Sequence, residues 1–173
     1  MSMIENAVAS LKEKFGERIL SVETFRDQVT VVVDKDVIFP CCQLLHDDSD
    51  LAFNRLSSIT AIDYWPQEPR FAVVYMLFSI PNRVFLRLQV ALPGDAVELP
   101  TVETVYRNAN WYEREVYDMF GIVFTGHSDL RRILMPYDWE GHPQRKDYPL
   151  GTEEVQFSFN YDEIDRRKPY AKE

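Results

Sequence analysis

The sequence is 173 residues long, 46% hydrophobic and 27% charged, with a formal net charge of -9. That length suits one compact domain with an extension, and it is too short for two full domains. A surface this acidic repels nucleic acid unless a local basic stripe overrides the total, so nucleic acid is excluded as an expected partner.

Ile4, Val8, Leu11 and Phe15 recur at helical spacing, with Gly16 following as a stop, and predict a first helix. The β-rich runs 19–25 and 29–33, with Asp27 near the turn, predict a hairpin. Asp36 stands where it can cap a second helix reaching about His46, in which Pro40 is comfortable only within the first turn. Cys41 and Cys42 fall on this helix. Adjacent cysteines rarely form a relaxed disulfide, and two thiolates cannot complete a zinc or iron–sulfur site, so both read as half-buried structural thiols.

Three more strands are predicted over 58–65, 71–79 and 84–91, with Pro81-Asn82 turning the chain between the last two. In the third, Val84, Leu86, Leu88 and Val90 point one way, and Phe85, Arg87 and Gln89 the other. A third helical region opens near Thr101. Its better-defined part starts at Asn110, a candidate cap, with Glu113 reaching back from the third helical position. Tyr112, Val116 and Met119 share one face, and Gly121 closes the helix. From Thr125 onward Gly126, Pro136, Gly141, Pro143 and Pro149 interrupt every regular element. The expected fold is therefore α+β: a two-layer sandwich of a mainly antiparallel sheet with helices on one side, over residues 1–122. An extended irregular C-terminal arm, 123–173, follows it.

That arm is not composed like a disordered tail. It carries Leu130, Ile133, Leu134, Met135, Tyr137, Trp139, Tyr148 and Leu150. Ordering so long an irregular stretch costs more than those side chains return by burial, so the arm needs a surface to lie against. The sandwich itself or a neighbouring protein would serve. Arg131-Arg132 and Arg145-Lys146 are balanced locally by Asp129, Asp138, Glu140 and Asp147. Arginine forks fix orientation, while exposed pairs add little energy, so the aromatics are expected to carry most of the hold. From Glu153 to Glu173 the mixed charges suggest a solvated tail with aromatic contacts at Phe157, Phe159 and Tyr161.

Three kinds of chemistry are conceivable for these residues. Glu113, Glu115 and Asp118 form a carboxylate cluster on the third helix. A capping role for Glu113 and an Arg114–Asp118 ion pair at helical spacing compete with catalysis and are preferred to it. His127, Asp129 and His142 suggest a metal site only weakly, because no ligand pair sits at helical spacing. Hydrogen bonds from each imidazole to backbone carbonyls, pinning the loop, are the stronger reading. A glycine-rich phosphate loop, a nucleophile elbow and a CxxC pair are all lacking, which argues against NADH binding or electron transfer by this chain. The longest apolar run, 71–78, is far below the ~18–20 residues that span a bilayer. The start, Met1-Ser2-Met3-Ile4-Glu5, resembles neither a secretory signal nor a transit peptide, so a bacterial or archaeal cytoplasm is expected.

Two runs resemble a known family. Residues 109–124, Ala-Asn-Trp-Tyr-Glu-Arg-Glu-Val-Tyr-Asp-Met-Phe-Gly-Ile-Val-Phe, resemble the hallmark helix of the 30 kDa-type subunit of respiratory complex I, the proton-pumping NADH:quinone oxidoreductase. Residues 127–134 and 138–150 are similar to its second half. Ser128 stands where the family generally has proline, and Gln144 where leucine is usual, changes expected to loosen or re-polarise the arm locally.

The resemblance implies a non-catalytic assembly subunit of the hydrophilic arm, on the cytoplasmic side of the membrane. It also implies no cofactor in this chain: NADH, flavin, iron–sulfur clusters and quinone would be held by other subunits. The expected partners are the large quinone-site subunit and the small iron–sulfur subunit, with the membrane reached only through them. By similarity the docking positions are Glu113, Arg114, Glu115, Asp118, Gly121, His127, Arg131, Arg132, Trp139, His142, Arg145, Lys146 and Asp147. Two alternatives stay open: the equivalent subunit of a membrane-bound hydrogenase or a ferredoxin- or cofactor F420-dependent quinone oxidoreductase, and an independent small enzyme using Glu113, Glu115 and Asp118.

Overall fold

The computed structural model describes residues 3–94, 97–149 and 159–167. Helix α1 (Met3–Phe15) ends at Gly16, whose φ of 54° only glycine adopts without strain. Strands β1 (Ile19–Phe25) and β2 (Gln28–Val33) pair antiparallel around Arg26 and Asp27, both at positive φ. That geometry matches the right-handed twist of the two strands.

The second helix, α2 (Ile38–Asp47), carries Pro40 in its first turn, where the missing N–H costs nothing. The expected cap is corrected. A 3₁₀ turn at Lys35–Val37 precedes the helix, and Asp34 accepts from the Asp36 amide at 3.0 Å, so Asp34 and not Asp36 does the capping.

Strands β3 (Arg55–Asp63), β4 (Phe71–Ser79) and β5 (Val84–Leu92) complete a five-stranded sheet in the order β1-β2-β5-β4-β3. Every pairing is antiparallel except β2 with β5. The fold is the expected α+β arrangement. Val73, Tyr75 and Leu77 of β4 and Leu86, Leu88 and Val90 of β5 are fully buried. They pack with Ala7 and Leu11 of α1, Ile38, Cys41, Cys42 and Leu45 of α2, and Val116 and Met119 of the third helix. The cysteines are thus wholly buried, and burial pushes the Cys41 thiol up to about 12. The opposite sheet face carries Phe78 against Phe85 at 4.5 Å, with Phe85 exposed.

A short parallel pair that the periodicity does not reveal, β6 (Glu98–Pro100) and β7 (Val123–Thr125), brackets helix α3 (Ala109–Phe120). It fixes both ends of the segment that carries the site. Residues 161–167, expected as solvated tail, form a short helix, α4 (Tyr161–Arg167), while Leu150 and Phe157 lie outside the described residues.

Candidate functional site: α3 and the arm it anchors

Helix α3 begins at Ala109, and Asn108 provides no side-chain cap. The expected capping box is corrected. The Asn110 side chain donates to Glu103 at 2.9 Å and to Ser128 at 3.2 Å. Glu113 turns away from its own helix: its carboxyl accepts from the Val102 amide at 2.8 Å and the Thr101 hydroxyl at 2.5 Å. The side chain is fully buried, and burial lifts it to about 7 against the pull of those two donors, with the Glu103 charge adding to the rise.

The Arg114–Asp118 pair is corrected as well. Arg114, 7% exposed, donates to the carbonyls of Arg131 at 3.1 Å and Arg132 at 3.3 Å while its guanidinium lies over the Trp111 ring. Asp118, fully buried, takes Arg132 on Oδ1 at 2.6 Å. Its Oδ2 accepts the successive amides of Ile133, Leu134 and Met135 at 3.0, 2.8 and 2.9 Å. Burial pushes this carboxyl upward, but the Met135 amide, the Arg132 guanidinium and the other two amides outweigh it and hold it below the ordinary carboxylate range. Glu115 points to solvent. The three carboxylates thus face three different surroundings and form no acid/base pair.

The C-terminal end of α3 is closed by the arm. An α-helix leaves its last carbonyls without intrahelical partners. Here His142 Nδ1 reaches the Asp118 carbonyl at 3.0 Å, the Gln144 amide donates to Met119 at 3.0 Å, and Arg145 Nε donates to Phe120. Gly121 makes this possible twice over. Its φ is 75°, and a Cβ there would lie 2.6 Å from the His142 ring and 2.7 Å from the Arg145 guanidinium.

A second anchor sits at the sheet edge. The Asp63 carboxylate binds the Arg70 guanidinium through both oxygens at 3.1–3.2 Å and accepts the Lys146 amide at 2.8 Å. Arg70 in turn holds Asp147 at 2.7 Å and stacks over Phe71, which Arg145 also overlies. Burial opposes ionisation of Asp63, yet Arg70 and the Lys146 and Trp65 amides win and keep it low. Sequence reasoning missed Asp63 and Arg70. Both flank the β3–β4 connection, and no local signal ties Arg70 to Asp147, 77 positions later, or Asp63 to Lys146, 83 positions later.

His127 reaches the Asn110 carbonyl at 3.1 Å, so both arm histidines contact backbone carbonyls, as expected. Among the described residues the Arg131 side chain pairs with Asp129, at 2.9 Å on an open surface. The Trp139 indole nitrogen is buried without a partner among the described residues. Ser128 re-polarises the arm locally: its hydroxyl and amide both donate to Glu103, at 2.7 and 3.1 Å, and a proline could supply neither donor. Gln144 likewise contributes through its backbone amide, which any residue but proline offers.

Among the described residues no group of three or more His, Cys, Asp or Glu is arranged to hold a metal ion. Among them, too, no helix is long and apolar enough to cross a membrane. The arrangement is suited to holding an irregular segment in one conformation.

Known proteins share this sequence and geometry. The model of the family "Respiratory-chain NADH dehydrogenase, 30 Kd subunit" matches residues 31–154. The C subunit of NADH-quinone oxidoreductase from Roseiflexus sp. (strain RS-1) is 47% identical over 163 residues, covering 94% of each chain. The protein of the same name from Geobacter sulfurreducens is 51% identical over 151 residues, covering 86% of this chain and 92% of its own. The solved trypsin-resistant fragment of Nqo5 superposes with a TM-score of 0.62 at 33% identity, over 74% of this chain and 99% of the fragment.

Proposed function

The chain belongs to the family of the 30 Kd subunit of the respiratory-chain NADH dehydrogenase, and from that premise we propose that its arm is a rigid docking element. The protein is a structural subunit of the hydrophilic arm of NADH-quinone oxidoreductase, acting within a membrane-associated complex. Its partners are other subunits of that complex. The finer reading is ours: the arm packs against the large quinone-site subunit and the small iron–sulfur subunit, on the cytoplasmic side. In that reading NADH, flavin, iron–sulfur clusters and quinone belong to other subunits, and this chain performs no chemistry alone.

One observation carries the docking reading. The backbone of residues 133–135 is nailed to the buried Asp118, yet Leu134 is 60% and Tyr137 83% exposed. Large apolar side chains held out from a fixed backbone lose little entropy on contact, which is what a preorganised interface requires. The hydrogenase-type and ferredoxin-linked alternatives gain no support, since the relatives matched bear the NADH-quinone name. The independent enzyme loses its basis because Glu113, Glu115 and Asp118 do not converge.

Joint replacement of Leu134 and Tyr137 by alanine tests the proposal. The variant chain should melt like wild type, while the amount of assembled complex falls several-fold and turnover per assembled complex is kept. Full assembly of the double variant would remove the docking role, and slow turnover in a fully assembled complex would point to a direct catalytic part.

A further inference from the structure

At the junction of the sheet, α3 and the arm, the Glu113 carboxyl is enclosed without a lysine or arginine partner among the described residues. The side chains of Glu113 and His127 have no solvent exposure, and His127 Nε2 lies 3.9 Å from Glu113 Oε2. Thr101 and Val102, ahead of α3, donate to the carboxyl, and the Glu103 carboxylate acts on it through its charge. From α2 and β4, the buried Cys42 thiol and Tyr75 hydroxyl lie close enough to feel the Glu113 charge. The Tyr75 hydroxyl has no hydrogen-bond partner among the described residues.

The neighbours of His127 fix its protonation. The Asp129 amide donates to Nδ1 at 3.0 Å, so that nitrogen carries no proton, and Nε2 faces the Asn110 carbonyl at 3.1 Å, so Nε2 must carry one. The ring is a neutral imidazole whose single N–H has two acceptors within reach: the Asn110 carbonyl, which holds it now, and the Glu113 carboxylate.

We propose that Glu113 is a buried proton-binding site that controls how the arm joins the sandwich. With the proton on, the neutral carboxyl donates to Thr101 Oγ1 and accepts from the Val102 amide, leaving His127 on the Asn110 carbonyl. When the proton passes to solvent, the buried negative charge draws the His127 Nε2–H away from Asn110. The turn at residues 127–129, tied to that ring through the Asp129 amide, moves with it. Burial lifts the Glu113 carboxyl to about 7, which places the exchange at neutral pH. The proposal rests on contacts within this chain and stands whether or not the arm docks on a partner.

The test is nuclear magnetic resonance of the full-length, nitrogen-labelled chain from about pH 5.5 to about pH 8.5. In wild type the Val102 amide, which donates to the Glu113 carboxyl, and the Asp129 amide should shift together with a midpoint near 7. In Glu113→Gln, which mimics the protonated carboxyl, the Val102 step near 7 should be missing. A flat wild-type profile, or the same titration in the glutamine variant, would overturn the proposal. Should Glu113→Gln fail to fold, Thr101→Val supplies the answer: it takes a partner from both forms of the carboxyl, but the bond donated to the carboxylate is charge-assisted and the stronger of the two. The midpoint must then rise, by at least about half a pH unit; an unmoved midpoint would overturn the proposal equally.

Discussion

Neither oxygen of Asp118 is idle: one holds Arg132 and the other gathers three consecutive amides. Asp118→Ala leaves a guanidinium and three amides without their acceptor, and breaking such a buried pair costs about 3–5 kcal/mol. Urea denaturation of the two chains should show that loss. Arg131→Ala is the matched control, because its pair with Asp129 is exposed on both sides and such pairs contribute at most about 1 kcal/mol. Gly121→Ala acts differently: the left-handed backbone alone costs about 1–2 kcal/mol, and the new methyl group must also push His142 and Arg145 off the α3 carbonyls. Limited proteolysis should therefore cut the arm of Gly121→Ala faster than that of wild type, with α1 to β5 still protected.

At the scale of elements, α3 is a bracket with two working ends. Its buried face joins the core through Val116 and Met119, while its last carbonyls and the Asp118 side chain take hold of the arm. The arm's hold thus rests less on aromatic burial than expected, since Tyr137 stands in solvent and hydrogen bonds to buried carboxylates do the fixing. Asp118, Asp63 and Asp147 are all held below the ordinary value of 3.8. In the unfolded chain these groups take up protons first as pH falls. Their contribution to stability is therefore complete above that value and is lost as pH drops through their depressed folded values. Acid should release the arm in that window, and hydrogen exchange at the amides of Ile133, Leu134 and Met135 should report it.

Over the whole molecule Glu113 works with the opposite sign. Its folded value of about 7 exceeds the ordinary 4.5, so the folded chain keeps a proton that the unfolded chain has released. The stability it contributes is full below 4.5 and is lost as pH rises through about 7, an effect of order ~3 kcal/mol. Denaturation midpoints across that range should decline with pH in wild type and level out in Glu113→Gln. Of the two surfaces that could order the arm, the sandwich itself supplies the contacts described, and Leu134 and Tyr137 stay exposed, as the proposed docking requires.

Periodicity is enough to find α1, the β1–β2 hairpin, β4 and β5, because alternation and helical spacing are local consequences of one buried face. Gly121 is legible for the same local reason, since a helix must end, and the two arm histidines are legible as imidazoles that tie a loop to backbone carbonyls. Partners across the chain are not legible. Spacing makes Glu113 a cap and Asp118 a partner of Arg114, since it knows only near neighbours. Folding instead brings Thr101, Arg132 and the amides of 133–135 to them. Asp63 and Arg70 carry no signal at all, and Ser128 gives its two donors to Glu103, 25 positions away. Sequence by itself determined which segments are regular and where they stop. Which carboxylate holds which part of the arm was decided by the tertiary structure, because a buried charge takes whichever donors the completed fold places within reach.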